Sequence, residues 1–90
     1  MYYYYVSVWK IELKDGYICT DNHGFVEHDV EFHFYENAIK YVIEIERELE
    51  EKGFTLNVRQ TYPLSKEATI YDSWFTDGKE RYNITIIKRD

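Results

Sequence analysis

Apolar residues recur at helical spacing in one stretch of the chain. Over residues 36–52, Ala38, Tyr41 or Val42, Ile45 and Leu49 form a stripe that Ile39 and Ile43 widen. Nearly everything else alternates with a period of two, the signature of strands. This combination leaves few folds open. The helix must bury its stripe against a sheet, and one helix covers one sheet face. Glu36 with Lys40 and Glu48 with Lys52 are i,i+4 pairs in the favourable orientation. Asn37 is the expected N-cap, and Gly53 the left-handed residue that closes the C-terminus.

The strands read as follows. Residues 2–13 end in a clean alternation, with Trp9, Ile11 and Leu13 against Lys10, Glu12 and Lys14. "KDG" at 14–16 predicts a tight turn, and residues 17–20 a return strand. "DNHG" at 21–24 interrupts it. Over 25–35, Val26, His28, Val30, Phe32 and Phe34 share one face, and Glu27, Asp29, Glu31 and His33 the other. A one-residue slip would bury three carboxylates, which fixes the register. After the helix, 54–62 places Phe54, Leu56 and Val58 opposite Thr55, Asn57 and Arg59. Pro63 ends that strand. Around 65–75, Leu64, Ala68, Tyr71 and Phe75 fit a helix, whereas Thr69, Ile70, Tyr71, Trp74 and Phe75 are strand formers. A helical turn at 65–68 and a strand at 69–76 are expected, with "TDGK" a hairpin and 81–87 the last strand. The expected fold is α+β: a single antiparallel sheet of about four or five strands, order β-β-α-β-β-β, with one helix packed on one face. Ninety residues make a single domain, 1–90.

The front of the chain strains this scheme. "YYYYVSVW" makes both faces of the first strand aromatic or apolar. An uncovered sheet face is normally polar. The strand at 70–75 splits in the same way, with Trp74 on one face and Tyr71 and Phe75 on the other. A tyrosine-rich contact surface on the uncovered face reconciles the two. Tyr2, Tyr4 and either Tyr71 or Phe75 are expected to stay partly exposed there. Tyrosine suits an interface because it combines large area, little rotamer entropy and a polar tip. The competing reading is a central strand shielded by the 21–24 or 63–68 loops.

No nucleotide-binding or hydrolase signature is present, and four dispersed glycines cannot cradle a phosphate. Cys19, Asp21 and His23 do not make a triad. Four strand residues separate Cys19 from His23 by about 13 Å, where about 3 Å is needed. His23, His28 and His33 alternate faces, and Glu31 with His33 gives two ligands, too few for a metal site. No catalytic residue, metal or cofactor is therefore expected, and the chain reads as non-enzymatic.

Charge is distributed unevenly. The net charge is −6, and residues 27–51 alone carry nine acids and two bases. Direct nucleic-acid binding needs clustered Lys and Arg, so it is not expected. A basic protein target is. Glu27, Asp29 and Glu31 repeat at about 6.7 Å along a strand, near the spacing of phosphates. Mimicry of nucleic acid is thus one expectation, with Glu27, Asp29, Glu31, Glu44, Glu48, Tyr2, Tyr4, Tyr71 and Phe75 as partner-binding residues. Phe, Tyr, Met, Ile, Asn and Lys together number 36, against 11 for Gly, Ala, Arg and Pro. This bias fits an AT-rich genome, and with the acidic charge it suggests a phage-encoded inhibitor of a host or defence protein. The alternative is a homo-oligomer, such as a homodimer, assembled through the tyrosine face or holding a small ligand there. With a single cysteine, no basic-apolar leader and no apolar run near the ~18 residues of a membrane span, a cytoplasmic protein is expected.

Overall fold

The computed structural model describes residues 2–14, 17–18, 25–64 and 68–90; for 13–14, 17–18 and 25–28 only the backbone course is described. The elements in chain order are β1 (Tyr3–Lys14), β2 (Tyr17–Ile18), β3 (Phe25–Phe32), α1 (Tyr35–Glu51), β4 (Thr55–Thr61), β5 (Thr69–Thr76) and β6 (Glu80–Arg89). β2 and β3 pair successive stretches of β1, so the antiparallel sheet is five strands wide, in the order β2/β3, β1, β6, β5, β4. This is the expected α+β arrangement. Cys19, Asp21, His23 and the 21–24 break lie outside the described residues, as do 65–67 of the expected helical turn.

α1 carries the chain from the β3 edge to the β4 edge across one face. Ala38, Val42, Ile45 and Leu49 are buried against Val6, Val8, Ile70, Tyr71, Phe75, Ile84 and Ile86. The helix ends in a Schellman arrangement. The Phe54 N–H donates to Leu49 O at 2.9 Å and the Gly53 N–H to Glu50 O at 3.0 Å, with Gly53 at φ +94°. Leu49 and Phe54, which flank this turn, both belong to the core. The N-terminus differs from expectation. Phe34, not Asn37, is the N-cap, and no side chain caps the helix there. Phe34 is correspondingly outside the strand and exposed.

Three bulges reset the sheet. In β3, Glu27 is the extra residue between the pairs Val8↔His28 and Trp9↔Val26, so the even alternation expected over 25–35 and the regular spacing of Glu27 with Asp29 and Glu31 do not hold across it. Ile70 is the extra residue between the pairs Thr69↔Ile87 and Tyr71↔Ile86, so Ile70 and Tyr71 are both buried. Asn57 is the extra residue between Leu56↔Phe75 and Val58↔Trp74. Strict alternation would put Val58 with Leu56 and turn Arg59 away. The bulge instead puts Val58 on the open face with Trp74, and Arg59 opposite Ser73 on the helix face.

Candidate partner-binding surface

β1 is regular where it pairs β6, so parity decides its faces. Val6 and Val8 are buried under α1. Tyr4 shares their face and packs edge-on against Tyr35, centroids 5.9 Å apart. Tyr2 follows the same parity and lies under the Lys88 ammonium, 4.0 Å from its ring centre. Tyr71 and Phe75 are 4 % and 0 % exposed. The expectation that one of them stays open is overturned, because β5 is an interior strand whose inward residues meet the helix. Tyr2, Tyr4, Tyr71 and Phe75 therefore belong to the covered side of the sheet. Only Tyr2 and Tyr4 among them retain accessible surface.

The uncovered face is built from the other parity. Tyr3, Tyr5, Ser7, Trp9 and Ile11 of β1 lie beside Arg89, Ile87, Thr85, Asn83 and Arg81 of β6. Asp72, Trp74 and Thr76 of β5 and Val58 of β4 extend it. Its side chains are partly to fully exposed. The clean alternation at the end of β1 thus points its apolar residues outward: Trp9 is 38 % exposed. The reason is parity: Trp9 and Ile11 alternate with Val6 and Val8 and so fall on the face that α1 does not cover. Beyond the helix, Lys10 turns to the helix side and pairs with Glu80 at 2.8 Å.

Polar side chains organise this face. The Arg81 guanidinium stacks 4.6 Å above Trp74. The Asn83 amide donates to Asp72 Oδ1 at 2.6 Å and to Ser73 O at 3.0 Å. Tyr3 meets His33 edge-on at 5.1 Å. Asp29 and Glu31 are exposed on the same face, opposite Ser7 and Tyr5. Tyr5, Ser7, Asp29, Ile87 and Arg89 line a shallow depression of about 300 Å³. The Glu27 side chain lies outside the described part. Glu44 and Glu48 are exposed on α1, on the far side of the sheet from Asp29 and Glu31. The acidic residues therefore form two separate surfaces, which a sequence count of charge cannot distinguish.

A buried polar cluster joins α1 to the sheet, and the periodicity of the sequence gives no hint of it. Glu46 is 5 % exposed. Its Oε1 accepts from Arg59 Nη2 at 2.5 Å, and its Oε2 from Ser73 Oγ at 2.9 Å and from the Tyr71 hydroxyl. Arg59 Nε also donates to the Tyr71 oxygen at 2.9 Å. Burial, with the Glu46 carboxylate alongside, pushes the Tyr71 phenol up to about 12, so it remains a donor. Both Glu46 oxygens and the Tyr71 and Ser73 hydroxyls are bonded within the cluster, which ties the helix to β4 and β5. Among the described residues, no three His, Cys, Asp or Glu side chains converge as a metal site, and no helix is long and apolar enough to cross a membrane.

Neither a family model, a curated protein nor a solved structure matches this chain.

Proposed function

We propose that this chain is a small acidic, non-enzymatic protein-binding module that docks a partner on the uncovered sheet face. The observation that carries this reading is a sheet face that no described residue covers and that presents the exposed Trp9 with the part-exposed Tyr3, Tyr5, Ile11, Trp74 and Ile87. Accessible aromatic and apolar side chains on a strand-built platform are the composition of an interface core. Asp29 and Glu31 at its margin favour a basic partner, and the depression beside Asp29, although Arg89 also lines it, offers Tyr5 and Ile87 to the stem of a Lys or Arg. In this reading the phage-inhibitor role places that partner among host or defence proteins that bind nucleic acid.

Affinity capture from a low-GC bacterial lysate, followed by titration of the captured protein, tests the surface. Tyr5→Ser and Trp9→Ser should each weaken binding at least tenfold while leaving the melting temperature nearly unchanged. Glu44→Gln with Glu48→Gln should leave binding intact. A partner whose affinity ignores both aromatic substitutions would overturn the reading.

A further inference from the structure

The two edges of the sheet are unlike. β3 forms one edge and presents Asp29 and Glu31, so a second copy meeting it there would set like charges together. β4 forms the other, and every residue of Thr55–Thr61 is exposed. Its only charge is Arg59, which is turned in to Glu46. Among the described residues eight large hydrophobic side chains are exposed, and five of them gather here: Leu56 and Val58 on β4, Tyr62 and Leu64 just after it, and Ile43 on the adjoining flank of α1. Ile43 also lines an open recess of about 370 Å³ between α1 and β4, together with Ile39, Arg47, Glu50 and Arg59. Edges without lysine or proline invite pairing, and this one lacks both within the strand, its one interruption being the Asn57 bulge.

We infer that β4 is the pairing edge for a second copy of this chain, joined antiparallel about a two-fold axis near Val58 into one continuous sheet. Such a pairing is self-complementary. With Asn57 the bulged residue of each strand, it sets Val58 beside its own mate, Arg59 opposite the neutral Leu56, and Thr55 opposite Gln60. It brings the two Ile43 flanks together on the helix side, where Arg47 and Glu50 supply both signs of charge. A seven-residue strand is about 24 Å long, and the shortest extent of the molecule is 20 Å, so each copy offers about 500 Å². Two such surfaces bury about 1,000 Å², the lower limit for a specific interface, so weak association is expected. The two uncovered faces would then form one platform, leaving the partner surface free.

Sedimentation of the full chain from about 1 to 300 μM tests this. The mass should rise from one to two chain masses across that range. Leu56→Lys with Val58→Lys should hold it at one, with an unchanged far-UV spectrum, whereas Tyr5→Ser with Trp9→Ser should still dimerise. Hydrogen exchange on the wild-type chain needs no variant: amides of Thr55–Thr61 should slow as concentration rises, and those of β3 should not. A monomer throughout the range, protection confined to β3, or a dimer lost through Trp9 and kept by the lysine pair would each overturn the proposal. Partner capture by the monomeric lysine variant separates its failure from failure of the sheet-face reading.

Discussion

Glu46 and Arg59 contribute through an asymmetry. The Glu46 side chain is 7 % exposed and the Arg59 side chain 42 %. Arg59→Ala leaves the buried Glu46 carboxylate with only the Tyr71 and Ser73 hydroxyls as donors and should cost about 1–3 kcal/mol in urea unfolding, less than a fully buried pair because Arg59 is part-exposed. Adding Glu46→Gln to that variant removes the uncompensated charge and should restore part of the loss. Tyr71 gives a pH signature. Its folded-state proton is held to about 12, while the unfolded chain releases it near the ordinary 10.0. Between these values the unfolded state binds fewer protons, so stability falls as pH rises from 10 to 12 and is fully present below 10. The upper bound is roughly 2–3 kcal/mol, at ~1.4 kcal/mol per pH unit. Tyr71→Phe should flatten that decline in a series of melts. The residues at the candidate surface were half legible. Two faces of aromatics in β1 were plain, but which tyrosines face outward needed Val6 and Val8 as the buried parity.

At the scale of the element, α1 is the part whose sequence speaks most directly. Its stripe matches the observed burial at Ala38, Val42, Ile45 and Leu49. Leu49→Ala should cost about 2–5 kcal/mol, because Leu49 packs in the core and beside the Schellman turn. Glu48→Ala should cost well under about 1 kcal/mol, since its solvated charge does little. Equal effects in thermal denaturation would mean a helix rotated from the one described. Gly53 at φ +94° has open space around it, so Gly53→Ala meets backbone strain alone and should cost about 1 kcal/mol. Ile43 departs from the stripe. It widens the apolar arc beyond what the sheet covers, which is why it is left at the β4 flank.

For the whole molecule, the sheet separates two acidic surfaces. If Asp29 and Glu31 steer a basic partner to the aromatic face, then Asp29→Asn and Glu31→Gln, with Glu27→Gln, should leave folding intact. Association with the captured partner should slow several-fold at low salt, and its salt dependence should flatten. Stopped-flow mixing reads both. Nucleic acid competing with the wild-type chain for that partner would support mimicry; unchanged rates in the triple variant would assign the contact to the aromatic residues alone.

The sequence by itself determined the element types, their order, the helix face, the C-terminal glycine and the split of Trp74 from Tyr71 and Phe75. These follow from local periodicity and backbone preference, which act over a few residues. Tertiary structure decided the rest. The order of strands in the sheet, the inward turn of Arg59 at the Asn57 bulge and the burial of Glu46 all depend on pairings between distant segments. So does the side on which α1 packs, which buries Val6 and Val8 and leaves Trp9 and Ile11 on the other face. Periodicity reports that a strand has two faces; only the position of what packs on it decides which face meets water.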